Sequence, residues 1–299
     1  WFYDAGILLD EGRLGVLEGI GSEIYPSGQQ QMLTNIRADC VGETSMAFMF
    51  YHLLKGDEKY LDISDNLIAT CFDYFQIKDG LHRGMVRWSN EGWGVCYQDD
   101  VARAIMPYLF KCLYLGDKRH LDDSIDALNF LVETTGTDGL RVQRTENINL
   151  TPEKIEELKN SEGDFPSAHY NAYYLATLLL AYKLTGIEKF RDVGVAGLET
   201  IISVYPDTIR EHSQTQELCR LIMPAAFLYW VTEEESHMKF LYKVVKDLEK
   251  YRHESGGFLE WDEGYRATRS RAEDGECSLL VENGDPVVDM LYSLNWLPM

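Results

Sequence analysis

The sequence predicts an all-α fold, a toroid of helical hairpins with an inner and an outer ring. Three observations predict it. A unit of apolar helix, tight turn and amphipathic helix recurs along the chain. The two helices of each unit differ, one apolar nearly all round and one apolar on a single face. Alternating strand-like patterns are scarce.

The turns set the register. They read Lys55-Gly-Asp-Glu-Lys-Tyr-Leu61, Leu115-Gly-Asp-Lys-Arg-His-Leu121 and Leu184-Thr-Gly-Ile-Glu-Lys-Phe190, with a looser copy at Val231-Thr-Glu-Glu-Glu-Ser-His237. Gly56, Gly116 and Gly186 suit the position just past a helix, where positive φ is needed. The acid or Ser that follows suits an N-cap. A sharper repeat aligns Asp99-Asp-Val-Ala-Arg-Ala-Ile-Met-Pro107 with Gln216-Glu-Leu-Cys-Arg-Leu-Ile-Met-Pro224. Matched prolines inside two helices give those helices equivalent structural roles.

The inner helices are Glu43–Leu54, Val101–Leu115, His169–Leu184 and Leu218–Val231. Their all-round apolarity predicts burial on every side. The outer helices show one stripe, such as Tyr60, Ile63, Leu67, Cys71 and Phe75, or Phe190, Val193, Leu198 and Ile201. A last inner helix over Pro286–Trp296 and a lone helix over Trp1–Glu11 would close the ring as a fifth pair. Residues 1–299 thus read as one toroid domain. Its start at Trp1, without an initiator Met or signal peptide, reads as a processed or excised piece.

The links between pairs, at 77–98, 134–168, 205–214 and 254–284, all fall at the N-terminal end of the inner helices. Long links of this kind usually carry function. They contain Trp88, Trp93, Tyr97, Phe165, Trp261 and Tyr265, which places a cleft there.

Composition narrows the function classes. The chain has 28 Lys and Arg against 49 Asp and Glu, a net charge of −21, which argues against nucleic acid. No apolar run is long enough to span a membrane as a helix. The six cysteines form no CxxC pair and read as buried free thiols, leaning towards a reducing compartment. Dinucleotide, P-loop, nucleophile-elbow, HExxH and EF-hand motifs are absent, so neither cofactor nor metal is expected. The compartment and oligomeric state are not legible.

Four segments carry a resemblance: Asn35-Ile-Arg-Ala-Asp-Cys-Val-Gly-Glu43, Tyr97-Gln-Asp-Asp-Val-Ala-Arg103, Ala168-His-Tyr-Asn-Ala172 and Glu282-Asn-Gly-Asp-Pro-Val-Val-Asp289. With the helical pairs they resemble the six-hairpin glycosidases, and among them bacterial (α/α)6-toroid glycoside hydrolases. The Asp-Asp heading an inner helix also resembles the unsaturated uronyl hydrolases, where an Asp protonates the substrate. Five pairs are legible here against six in that family.

The resemblance implies glycosidic bond cleavage, which needs two carboxyl groups. The candidates are Asp39 and Glu43, four apart on one helical face, and Asp99 and Asp100, which head the second inner helix. Adjacent carboxylates raise one pKa, as an acid catalyst requires. Asp100, or failing it Asp99, is read as the general acid, with Asp39 or Glu43 as partner and Asp285 or Glu282 as the fallback. The candidates for binding substrate are Arg37, Arg103 and Arg220, as forks for a substrate carboxylate, Trp88, Trp93, Tyr97 and Trp261 as sugar platforms, and His169, Gln216, Glu217, Glu282, Asn283 and Asp285. The expected activity is hydrolysis of an oligosaccharide by two-carboxylate acid/base catalysis, with a uronic-acid-containing substrate as one candidate. An epimerase or lyase on the same ring, and a non-catalytic toroid binding sugar or protein, are the alternatives.

Overall fold

A computed structural model describes residues 2–210, 213–261 and 287–289. More than half of the described residues are helical, and the strands form two-stranded ladders only. Two compact units are present, residues 1–164 with 180–190, and residues 165–179 with those from 191 onward.

In the first unit, α1 (Ala38–Lys55) turns into α2 (Glu58–Thr70), which a π-helical turn extends over Cys71–Phe75. The helix α3 (Gln98–Leu115) turns into α4 (Leu121–Glu133). Gly56 and Gly116 take φ values of 71° and 69° and close the turns as the sequence predicts. Asp57 caps α2, its side chain accepting the Lys59 N–H at 3.0 Å. The predicted stripe of α2 is buried at Ile63, Leu67, Cys71 and Phe75. Each fully buried Leu, Ile or Phe contributes roughly 1.5–3 kcal/mol.

α1 also packs on α3. Gly42 sets their separation: a Cβ there would lie 2.5 Å from both the Ala104 Cα and the Arg103 carbonyl oxygen. The absence of a side chain therefore brings the acidic first turns of α1 and α3 together. The Arg37–Ser89 bridge and the Ala38 N–H donated to the Trp88 carbonyl fasten the 77–98 link around the start of α1.

Three expectations need correction in this unit. Residues 2–6 form turns and Asp10–Gly12 a single 3-10 turn, not an α-helix, and they lead into β1 (Gly19–Ile24) and β2 (Gln30–Leu33), which pair antiparallel. Positive φ at Gly6, Asp10, Glu11, Gly12 and Gly15 interrupts any helix there. The link 134–168 holds a helix of its own, α5 (Pro152–Lys159), with Thr151 as N-cap and Pro152 at its first position. The inner helices are not buried on every side. Phe50, Leu53 and Leu54 of α1 and Leu113 and Tyr114 of α3 remain exposed, because burial needs a neighbour on each side as well as an apolar surface.

α6 (Tyr173–Thr185) and α7 (Glu188–Val204) contribute residues to both units. Tyr173 and Tyr174 are core, as expected of an apolar helix. In the second unit a π-helical turn over Ala168–Ala172 enters α6. The helix α8 (Gln214–Thr232) turns into α9 (Glu235–Glu249) through Glu233, a non-glycine residue at φ 57°. The repeat places Pro107 and Pro224 inside α3 and α8. β5 (Phe258–Trp261) pairs with β6 (Val287–Asp289). Those three residues were expected in an inner helix, but Val287 and Val288 favour an extended strand. The rest of Pro286–Trp296 lies outside the described residues.

Helix starts expected at 43, 101, 169 and 218 fall at 38, 98, 168 and 214. The fifth, at 286, lies outside the described residues. The five described cysteines are free thiols, and Cys71, Cys96, Cys112 and Cys219 are buried. Burial raises the Cys71 thiol to about 12 and Cys96 to about 11, which makes both unreactive. Among the described residues, no helix is long and apolar enough to cross a membrane, and no cluster of His, Cys, Asp and Glu could hold a metal ion.

Candidate active site

The heads of α1 and α3 gather five carboxylates, Glu18 and Glu43 among them, around two guanidinium groups. Arg37, at the N-cap of α1, grips Asp39 with two bonds, Nε to Oδ1 at 3.0 Å and Nη2 to Oδ2 at 2.7 Å. Its Nη2 also donates to Asp100 Oδ1 at 3.3 Å and its Nη1 to Glu18 at 3.1 Å. Arg103, one turn into α3, reaches Asp39 at 3.1 Å, Glu43 at 3.7 Å and Asp99 at 3.2 Å, and donates to Asp100 Oδ1. Asp39 and Asp100 share one nitrogen of Arg37, so the two bonded oxygens lie within about 6 Å of each other. Asp99 and Asp100 share one nitrogen of Arg103 and are similarly close.

Asp39, Asp99 and Asp100 are 1%, 3% and 4% exposed. Burial lifts the Asp100 carboxyl well above the usual carboxylate range, and Asp99 and then Asp39 lift it further. The two arginines pull it back without cancelling the rise. Burial alone would depress Arg103 and Arg37. The surrounding carboxylates, Asp39 foremost, outweigh it and hold both cationic. The site thus pairs a carboxyl group biased towards its acid form with neighbours fixed by charge.

The partly exposed rim consists of Glu43, Arg37 and Trp88. Trp88 lies over the Arg37 guanidinium, 5.4 Å from its ring centroid, and meets Tyr97 edge-on at 5.5 Å. Arg144 donates to the Tyr97 hydroxyl at 3.2 Å. Trp93 packs instead on Tyr74 and Phe75, centroids 4.9 and 6.1 Å away, beneath Arg87 at 4.3 Å. A cavity of about 620 Å³ in this unit is lined by Leu9, Leu14, Ile36, Asp73, Tyr74 and Asn90, and by none of Asp39, Glu43, Asp99 and Asp100.

One reading of the sequence is corrected here. Arg37 and Arg103 do not present open forks to a substrate carboxylate, because protein carboxylates already engage them. Trp93 rests on the π-helical turn that follows α2, whereas Trp88 meets Arg37 and Tyr97.

The second unit holds Glu217, Gln216 and His169. Glu217 is the repeat counterpart of Asp100, but backbone amides engage it. It accepts the Ala168 N–H at 2.8 Å and the His169 N–H at 3.3 Å, with Thr208 Oγ1 at 3.2 Å. Burial raises its pKa, and those amides oppose the rise. It caps the turn entering α6. Gln216 is buried in the first turn of α8, where its N–H donates to Ser213 Oγ at 3.1 Å. The His169 ring lies against Tyr170 at 4.5 Å. Trp261 ends β5, and Glu282, Asn283 and Asp285 lie outside the described residues.

Three participants were not singled out from sequence. Glu18 sits in the segment read as leading from a helix, so nothing aimed it at Arg37. Gln98 and Arg141 meet only through the fold. The Gln beside Asp-Asp was the one available signal.

The fold that carries this site recurs in solved structures. The fold is of the all-α (α/α) toroid type, as solved structures of low sequence identity show. One is a family 76 glycoside hydrolase from a bovine Bacteroides thetaiotaomicron strain, with TM-score 0.58 and 14% identity over 77% of this chain and 52% of that one. Another is an α-1,6-mannanase of Salegentibacter, solved with α-1,6-mannotriose as an inactive variant carrying asparagine at two consecutive aspartates. Its TM-score is 0.58 and its identity 12%, over 74% of this chain and 67% of that one. A D-mannose isomerase matches with TM-score 0.58 and 11% identity, over 79% of this chain and 69% of that one. The chain spans about half to two-thirds of the length of these proteins. No protein-family profile matches the chain. No curated protein matches it in sequence.

Proposed function

We propose that the chain is a glycoside hydrolase acting on a neutral oligosaccharide of the manno-oligosaccharide class, with Asp100 as the general acid. One observation carries the reading. Asp99 and Asp100 are consecutive buried aspartates at the head of α3, and burial with two further carboxylates biases Asp100 towards its protonated form. A mannanase of the same fold is inactive when two consecutive aspartates are replaced by asparagine. A neutral sugar is favoured over a uronic acid because Arg37 and Arg103 are both engaged by protein carboxylates.

In this mechanism Asp100 gives its proton to the leaving glycosidic oxygen as the bond to the anomeric carbon breaks. Asp99, paired with Arg103, or Asp39, paired with Arg37 and Arg103, meets the developing positive charge at that carbon. Their bonded oxygens lie within about 6 Å of Asp100, closer than the ~6.5–9.5 Å separation that lets a water act directly. This spacing favours retention through a covalent intermediate. Trp88 offers a sugar face at the rim.

A panel of α-linked manno-oligosaccharides and unsaturated uronides, with product anomers followed by NMR, tests the reading. Turnover of the mannosides with retained configuration supports it. Turnover of the uronides alone would reject the neutral-sugar assignment. The match to D-mannose isomerase favours a second reading, aldose–ketose isomerisation. Conversion of free mannose to fructose, unaffected by Asp100→Asn, would establish that reading instead.

A further inference from the structure

Arg141 is fully buried, with no exposed surface, and lies in the link that follows α4. Its guanidinium joins three parts of the first unit. Nε donates to Thr134 Oγ1 at the end of α4, at 3.0 Å. Nη2 donates to Thr145 Oγ1 on β4 (Thr145–Glu146), at 3.1 Å. Nη1 donates to the Gln98 Oε1, at 2.8 Å. Gln98 is equally buried and is the first residue of α3. Its amide nitrogen donates back to the Val142 carbonyl at 3.1 Å, so both ends of the amide are held by residues 141–142. β4 in turn pairs with β3 (Val95–Cys96), the strand that delivers the chain to α3.

The residue after Gln98 is Asp99, and the next is Asp100. We infer that Arg141, acting through Gln98, is a positioning residue that fixes the first turn of α3 and so aims the Asp99–Asp100 pair. The inference rests on the catalytic reading of that pair, though the positioning itself is a matter of geometry. A guanidinium suits the task because its planar fork donates in three fixed directions at once, whereas an ammonium is a point donor. Loss of either end of the Gln98 clamp frees the turn to rotate, and misplacement of a reacting group by about 1 Å costs roughly 10²-fold in rate. It also admits water to Asp100, whose charged neighbours are Asp99 and Arg103 on α3, Asp39 and Glu43 on α1, and Arg37, itself bound to Glu18.

The test uses Gln98→Met, which removes the clamp at nearly constant volume, with Arg141→Lys and Arg141→Met alongside. Two quantities are read on folded protein: the Asp100 carboxyl titration by carbon NMR, assigned by its loss in Asp100→Asn, and kcat and KM on the active glycoside. The expected result is a titration midpoint lowered by about one pH unit or more as water enters. kcat should fall about 10-fold or more, with KM within about threefold. Arg141→Lys should restore neither value. A merely structural role would lower the melting temperature and leave the midpoint in place. A folded Gln98→Met with wild-type midpoint and kcat overturns the inference, whether or not Arg141→Met folds. If the midpoint moves and no glycoside is turned over by the wild type, the positioning stands and the hydrolase reading falls.

Discussion

Replacing Asp100 with Asn should stabilise the protein at neutral pH while removing its activity. The Asp100 carboxyl is buried beside Asp99 and Asp39, and its folded pKa lies well above that of an unfolded Asp. A raised carboxylate pKa means that the group favours the fold when protonated. That contribution is fully present below the unfolded value near 3.9 and is lost as pH rises through the folded value. Each unit of displacement costs about 1.4 kcal/mol of stability at pH 7. The bonds from Arg37 and Arg103 are already included in that balance, because the pKa stays raised despite them. An uncharged isostere avoids the cost, so a gain in stability is expected, and each 1 kcal/mol gained raises Tm by roughly 2 °C in a chain of this size. The gain should shrink as the pH falls towards 4, where the wild-type carboxyl is protonated too. Calorimetry of both proteins from pH 4 to 8 measures it, and kcat on the same samples should fall by about 10²-fold or more. A Tm lowered at pH 7 would refute the reasoning. It would mean that the arginines require the Asp100 charge, which then serves as an ion-pair staple between α1 and α3.

Arg103→Met should destabilise by about 3–5 kcal/mol in urea titration at pH 7, because it leaves Asp39, Asp99 and Asp100 buried without one of their two cations. Acidification should recover part of that loss, and a loss independent of pH would count against the charge argument. Gly42→Ala should cost about 1–3 kcal/mol and reduce kcat, since its Cβ meets the α3 backbone at 2.5 Å. Unchanged stability would show that α1 and α3 can separate freely. Trp88→Ala should raise KM, whereas Trp93→Ala should lower Tm and leave KM alone, because Trp93 packs on Tyr74 and Phe75. The reverse pattern would place the substrate platform at Trp93.

The pairing of helices was legible because it is a local property. Gly56, Gly116 and Gly186 take positive φ where a helix must stop, and a stop signal of that kind needs only its own neighbours. The outer stripe of α2 was legible for the same reason, since 3.6-residue spacing puts Ile63, Leu67 and Cys71 on one side. The N-terminal segment was misread because its apolar residues suggest a helix while positive φ at Gly6, Asp10, Glu11 and Gly12 breaks it, and two of those four are not glycines. The internal repeat was legible as structure but not as chemistry. Asp100 and Glu217 head equivalent helices, yet one meets guanidinium groups and the other meets the backbone amides of Ala168 and His169.

The sequence by itself determined the all-α hairpin architecture, the placing of Asp99 and Asp100 at a helix head, and the closeness of Asp39 and Glu43 on one helical face. Each follows from residues a few positions apart, within reach of backbone geometry and side-chain period. Only the tertiary structure decided which charges meet. Gly42 lets α1 approach α3, so Arg37 reaches Asp100 across 63 positions of sequence, and Arg103 gathers Asp39 with Asp99. That approach filled two of the arginines that had looked open to substrate. Contacts of this kind depend on how closely two helices pack, and a helical stripe carries no record of the partner it will face.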